Sequence, residues 1–144
     1  MTKDIRQISI FLENRVGRLA QITRLLGDEG IDILAISVAD TADFGILRLL
    51  VDDVEKAVEV LRENGTVCTV NPVSVIPVDG VPGGLAKVLG IILDNALNIE
   101  YMYAVSQKPV SHPLMVFRFA NPEAARLACA QAGVETLNSD QFLA

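Results

Sequence analysis

Tryptophan is absent, histidine occurs once, cysteine twice, and aromatic residues make up only 5% of the 144 residues. A core built without large rings must come from Val, Ile, Leu and Ala. With 51% hydrophobic and 21% charged residues there is enough apolar material for a continuous core, which argues against disorder. Basic residues are in deficit: 12 Lys and Arg against 18 Asp and Glu give a net charge of −6 and a pI near 4.7. An acidic surface repels phosphate backbones, so nucleic acid is disfavoured as a partner. No segment reaches the ~18 uncharged apolar residues of a membrane span. The polar start MTKDIRQ runs straight into a strand pattern, so no signal peptide is visible. Cys68 and Cys129 form no CxxC pair. The simplest expectation is a cytoplasmic chain with reduced, buried thiols, a disulfide between them being the lesser alternative.

The catalytic inventory is equally thin. GxGxxG and GKS or GKT motifs are missing, which removes the dinucleotide fingerprint and the P-loop. His112 lies in VSHPL; a catalytic or metal-binding histidine needs convergent partners, and none is indicated, so it reads as a solvated loop residue. Asp52-Asp53 looks like a carboxylate pair, but its place before a helical pattern favours helix capping. Arg15, Arg18 and Arg24 form either a small basic patch or a solvated helix face, and exposure is the default for Arg. With no nucleophile–base pair and no metal cluster legible, the expectation is a protein that is not an enzyme and holds no cofactor or metal.

What is present is a repeat. Leu19-Ala20 falls on Leu85-Ala86 at an offset of 66 residues, which also places Gly17 on Gly83, Glu13 on Asp79 and GIDI (30–33) on ALNI (96–99). Further on the offset is 68: VDDVEKA (51–57) matches FANPEAA (119–125), and Gly65 matches Gly133. The two extra residues belong in VSQKPVSHP (105–113), a polar, proline-containing stretch that reads as a hairpin loop, where length changes are tolerated.

Each copy predicts the same elements. Gln7 to Leu12 alternates as a strand. A helix runs from about Gly17 to Asp28, with Leu19, Ile22, Leu25 and Leu26 on one side and Gly30 as a left-handed cap. IDILAISVA and ILRLLV are strands joined by the turn DTADFG. Asp52 or Asp53 caps a second helix bearing Val54, Ala57, Val58 and Leu61, and Asn64-Gly65 stops it. TVCTV (66–70) is a fourth strand. In the second copy VSVIPV (73–78), IEYMYAV, LMVFRF and a short VETL (134–137) are the strands. Leu85, Val88, Leu89 and Ile92 mark the first helix, and EAARLACAQA, with Pro122 in its first turn, is the second. Pro77 implies an edge or a bulge. Asn71-Pro72 is the sole boundary punctuation, and NSDQFLA is a tail.

The order βαββαβ, twice, predicts an α+β fold of two ferredoxin-like units in tandem, with antiparallel sheets and helices on one face. Such units serve many functions, so the site must decide. An RNA-recognition module needs exposed aromatics on a basic field; Tyr101, Tyr103 and Phe117 are present but the field is acidic. A copper carrier needs a Cys pair in its first loop, and both loops lack Cys. Phe11, Leu47, Leu49, Tyr101 and Tyr103 suggest an apolar bare sheet face, whose burial predicts a homodimer or higher oligomer.

The glycine-bearing turns remain. At ENRVGRL (13–19) and DGVPGGL (79–85) a strand enters a helix whose first turn offers unpaired N–H groups and partial positive charge. Gly17 and Gly83 leave room for close approach of a small carboxylate, and Asn14 adds an amide. The plainer reading is a tight turn with no ligand.

The strand, ENRVGRLAQIT, GIDI, a hairpin and a second α–β pair together resemble the ACT domain, a regulatory module that binds amino acids. ENRVG is very close to the ENRPG turn in the regulatory domain of phosphoglycerate dehydrogenases, and VPGGLAKV is similar to the PGxLxxV form of that motif. The resemblance covers nearly the whole chain, as repeats 1–71 and 72–144 without a catalytic domain. It implies a ligand at an ACT–ACT interface, held by the first turn of one domain and by the Asn of a GVNI or GINI element in its neighbour. The matching turn position is Asn14 in the first repeat and Gly80 in the second; the matching strand position is Asp32 in the first and Asn98 in the second. The resemblance therefore implies one good site, from Leu12, Asn14, Arg15, Val16, Gly17, Arg18 and Leu19 with Asn98 and Ile99. A weaker site is implied from Asp79, Gly80, Val81, Pro82, Gly83, Gly84 and Leu85 with Asp32 and Ile33. Asp32 would repel an amino acid's carboxylate and attract its ammonium. Leu12, Val78, Ile33 and Met102 stand as possible selectivity walls.

The expected function is binding a free amino acid and modulating a partner enzyme or the protein's own assembly. The resemblance implies an amino-acid-metabolism enzyme as partner, with an acyl-CoA ligase as a further possibility. The rivals are a structural subunit with both sites degenerate and a small ferredoxin-like enzyme, the latter opposed by the missing catalytic residues.

Overall fold

The computed structural model describes residues 4–13, 15–40, 44–106 and 112–143. The chain divides into two compact units, Arg6–Asn71 and Pro72–Ala144, the latter with Met1–Ile5.

In the first unit β1 (Ile5–Glu13) leads to α1 (Arg18–Asp28), β2 (Ile33–Asp40), β3 (Phe44–Val51) and α2 (Val54–Glu63). β3 is central and antiparallel to both partners, pairing Ile8 with Leu49, Ile10 with Leu47 and Leu12 with Gly45 on one side and β2 on the other. Residues two apart share a face, so Ile8, Ile10, Leu47 and Leu49 point together at Ile22 and Leu26 of α1 and Ala57 and Leu61 of α2; all are fully buried. Burying each Ile or Leu of this layer contributes about 1.5–3 kcal/mol. Leu47 and Leu49 thus lie under the helices and not on the bare face the sequence suggested, because their register with Ile10 and Ile8 fixes their side. Phe11, paired with Ile46, and Phe44, paired with Glu13, do take the other face and are exposed.

The strands expected at 66–70 and 73–78 are one strand, β4 (Cys68–Pro77). Proline fixes φ at a value extended chain tolerates and biases the residue before it toward extended geometry, so Asn71-Pro72 prolongs the strand instead of breaking it. Pro77 is its last residue.

The second unit continues with α3 (Gly84–Asp94), β5 (Ile99–Ala104), β6 (Leu114–Phe119), α4 (Pro122–Gln131) and α5 (Ser139–Leu143). β6 is antiparallel to β4 and β5. Ile76, Phe117 and Phe119 pack with Val88 and Ile92 of α3 and Ala125 and Cys129 of α4. The other face of these strands is not bare either: Val75, Val116 and Tyr103 are buried, and Tyr101 and Tyr103 stack with centroids 6.5 Å apart. The VETL strand does not form; the segment makes one strand-like bond, Leu137 N–H to Val75 C=O at 2.9 Å. The tail then folds into α5, which buries Phe142. Asn138 and Gln141 exchange side-chain-to-backbone bonds there, a reciprocal capping box whose N-x-x-Q signature is legible in NSDQ. The hairpin segments 41–43 and 107–111 fall outside the described residues.

The duplication extends to the helix ends. Asp53, not Asp52, caps α2 through Lys56 N–H at 3.1 Å, and Asn121 caps α4 through Ala124 N–H at 3.1 Å. α1, α2 and α4 end on left-handed Gly30, Gly65 and Gly133, with 6→1 bonds from Ile31 to Leu26, Thr66 to Leu61 and Val134 to Cys129 at 3.0, 2.9 and 2.8 Å. α3 ends on left-handed Ala96 at φ 51°, and its Leu97-to-Ile92 bond is longer, at 3.2 Å. A Cβ in this region costs about 1–2 kcal/mol, and glycine's extra unfolded-state freedom returns about 0.5–1. Ala96→Gly is therefore expected to stabilise the protein by about 0.5–1 kcal/mol in urea unfolding.

Candidate functional site: two strand-to-helix turns

β1 ends at Glu13, whose carbonyl accepts Arg15 N–H at 2.7 Å, and Arg15 C=O accepts Arg18 N–H at 3.3 Å. Gly17 stands at φ 82°, ψ −2° as the N-cap of α1, and no side chain caps the helix. The left-handed geometry explains the glycine. Arg18 N–H is taken by Arg15 C=O; the next first-turn N–H groups have no intrahelical acceptor, and no side chain from the N-cap meets them. Leu12 is buried below the turn, Arg15 and Val16 project from it, and Leu19 is part-exposed on the first helical turn. Asn14 lies outside the described residues. Arg18 turns away from the tip: its guanidinium donates to Gln21 Oε1 at 3.1 Å and Thr66 Oγ1 at 3.2 Å, along the helix flank.

The second turn repeats the backbone. Gly83 is the uncapped N-cap of α3 at φ 86°, ψ −4°, and Lys87 N–H bonds Gly83 C=O as Gln21 N–H bonds Gly17 C=O. Asp79, Gly80, Val81 and Pro82 are exposed, as is Leu85. The copies differ one residue later. A Cβ on Gly84 would sit 2.0 Å from the Asp79 carbonyl oxygen, so here the incoming loop packs its backbone directly on the helix start. The equivalent residue of the first copy is Arg18. Gly84, a residue of the expected second site, is thus also required by this close approach.

The strand entrances also match. Asp52 N–H donates to Asp32 C=O at 3.2 Å and Ala120 N–H to Asn98 C=O at 3.0 Å. In the first copy the Asp52 carboxylate also accepts Asp32 N–H at 3.0 Å, a bond the Ala120 side chain cannot repeat. Asp32 and Asn98 are exposed, Ile33 and Ile99 half-buried, and the pairing register slips just after each isoleucine. Such bulges re-aim neighbouring side chains and recur beside functional sites.

Within either unit the turn and the strand entrance lie at opposite ends of the intervening helix. Eleven residues separate them by about 16 Å. No single unit brings its own turn to its own Asp32 or Asn98.

Other chemistry is sparse. Among the described residues no three His, Cys, Asp or Glu side chains gather as metal ligands. Cys68 and Cys129 are free and buried, and burial pushes both thiols up, away from the thiolate. His112 is exposed, at the rim of a groove with Asp79, Lys87 and Glu135. No helix among the described residues is long and apolar enough to cross a membrane.

The family model of the ACT domain pair matches residues 1–143. The chain belongs to this family. No curated protein matches it. Among solved structures, this ACT pair is similar to a protein of Bacteroides thetaiotaomicron, with 35% identity and a TM-score of 0.91 over 99% of this chain and 97% of that one. It also shares its fold with the ligand-free regulatory subunit of aspartate kinase from Thermus thermophilus (21% identity, TM-score 0.63, 91% of this chain, 93% of that one). The corresponding subunit from Thermus flavus is similar at 22% identity and a TM-score of 0.60, over 91% of this chain and 94% of that one. The two ferredoxin-like ACT units are regulatory rather than catalytic modules.

The two adjacent glycines of the ACT pair's second turn have different reasons, and substitution separates them. Gly83→Ala meets open space and should lose only the left-handed cost, about 1–2 kcal/mol. Gly84→Ala must displace the Asp79 backbone and should cost about 3 kcal/mol or more in urea unfolding.

Proposed function

We propose that this ACT pair binds a free amino acid at an ACT–ACT interface and uses it to modulate a partner enzyme or its own assembly. The observation that supports this most is the 16 Å separation within each unit: a ligand touching both a turn and a strand entrance must take them from two units. The uncapped helix start at Gly17 suits the carboxylate. In the principal site the turn from Leu12 through Asn14, Arg15, Val16 and Gly17 to Leu19 contributes one wall, and Asn98 with Ile99 the other. The second site, from Asp79 to Leu85 with Asp32 and Ile33, is the weaker. It lacks the turn amide, and Asp32 sets a negative charge near the ligand carboxylate. Arg18 completes the turn wall of the principal site, its guanidinium held along the helix flank by Gln21 and Thr66.

A ligand seated at an interface shifts its equilibrium only by binding one arrangement better than another. The apolar face carrying Phe11 and Phe44 favours a homodimer as that assembly, in a cytoplasmic setting. The Thermus structures are regulatory subunits of an aspartate kinase; an amino-acid-metabolism enzyme is the corresponding partner here, with an acyl-CoA ligase as the alternative.

A thermal-shift screen of the twenty amino acids tests the function. A ligand at ~100 times its Kd stabilises by roughly 2.7 kcal/mol, and no shift with any of them would leave the structural-subunit reading. By calorimetry, Asn14→Ala and Asn98→Ala should each weaken binding about tenfold, the scale of one charge-assisted hydrogen bond; Asp32→Ala should do little. A larger effect at Asp32 than at either Asn would reverse the assignment of strong and weak sites. Light scattering at micromolar concentration should give a dimer mass, and a monomer would remove the assembly part of the proposal.

A further inference from the structure

Along α1 of the first unit runs a groove of about 370 Å3, from Gly17 past Arg18, Gln21 and Arg24, closed on its other side by Asn64 and Thr66 after α2. The second unit forms the same groove, about 310 Å3, beside α3. The repeat offsets place Arg18 on Gly84, Gln21 on Lys87, Asn64 on Ala132 and Thr66 on Val134, all lining the second groove; Arg24 falls on Gly90.

This gives an internal control. At the positions of Asn64 and Thr66 the second copy has alanine and valine, so packing does not demand the amide and the hydroxyl of the first; Asp79, Lys87, His112 and Glu135 also line that groove, and Gly84 is fixed there by the Asp79 backbone. Ordering a long Arg side chain opposes stability, and the second copy avoids it.

The polar set is arranged for anions. Arg18, Gln21 and Arg24 follow at i, i+3 and i+6, so neighbours along one ridge face the groove. Gln21 and Thr66 hold the Arg18 guanidinium at 3.1 and 3.2 Å. These two bonds leave a planar fork with further N–H donors, suited to carboxylate or phosphate oxygens. The carboxylate of the lining, Asp28, is about 15 Å from Arg18 along the helix axis but only one turn, about 6 Å, from Arg24, so Arg18 is the cation that stands clear of it. In a chain of net charge −6, two arginines beside one groove mark a local reversal of sign.

We propose that this groove is a second binding site, distinct from the amino-acid half-sites, for a small multiply charged oxyanion, either a phosphate ester or a dicarboxylate. Its occupant bridges α1 to the turn after α2 and tightens the first unit alone.

The test is a titration of the full chain, followed by amide NMR at constant ionic strength, with inorganic phosphate, glycerol phosphate and succinate in separate arms and sodium chloride as the reference. Saturable shifts confined to Gly17–Arg24 and Asn64–Thr66 are expected, and whichever arm saturates first assigns the anion class. Arg18→Gln with Arg24→Gln should weaken binding at least tenfold. Thr66→Val, which copies Val134 at nearly constant volume, should weaken it several-fold if the double variant fails to fold. Lys87→Gln in the other groove should change nothing. Unsaturable shifts, shifts equal to those with chloride, or affinity unchanged in folded groove variants would overturn the proposal. An anion that still binds when no amino acid does leaves this site standing and removes only the interface reading.

Discussion

Ile22 and Leu26 are fully buried against Ile8 and Ile10, which pins α1 across its sheet with one end at the glycine turn and the other at the entrance to β2. A helix of this length is rigid on the scale of a metabolite, so the separation of the two polar half-sites is fixed. Neither copy can close a site from its own parts. In the proposed function, pairing of ACT units is thereby tied to ligand binding: occupancy and association would draw on one free energy.

The two copies show what the architecture fixes and what it leaves to vary. Left-handed Gly17 and Gly83, capping Asp53 and Asn121, and the bulges after Ile33 and Ile99 recur because each satisfies a backbone demand that returns with the fold. Positions where the two copies do not share a backbone demand differ. Arg18 faces Thr66 where Gly84 lies under the Asp79 carbonyl. Asp32 is tied back to Asp52 where the second copy has Asn98 beside Ala120. Asymmetry at these positions is an asymmetry of chemistry laid on a nearly symmetric backbone.

Electrostatics follow the same division. The protein as a whole carries an acidic excess that discourages anions at long range. Under the proposed function, attraction of a carboxylate therefore falls to short-range donors: the helix N–H groups, an amide side chain, a guanidinium held in place. These act over a few ångströms and only where water is thinned out, so loop geometry has more influence than net charge on where an anionic ligand settles.

The duplicated βαββαβ order, the helix faces and the glycine caps were legible in the sequence because each rests on local periodicity or a single residue's φ preference. The ACT resemblance was legible from the turn and strand motifs for the same reason. Three features were not. Leu47 and Leu49 were assigned to the open face because alternation tells which residues share a side but not which side a helix will cover; pairing with Ile10 and Ile8 decides that. The two compact units do divide at Asn71-Pro72, but that the strand runs on through the pair was not legible, because its backbone preference suits a break and a strand equally and only the neighbouring chain selects between them. The contacts of Arg18 with Thr66 and of Gly84 with the Asp79 carbonyl were not legible from their place in a motif. The sequence alone determined which elements form and how often. The tertiary structure decided which face each side chain meets, since contacts across tens of residues leave no trace in local spacing.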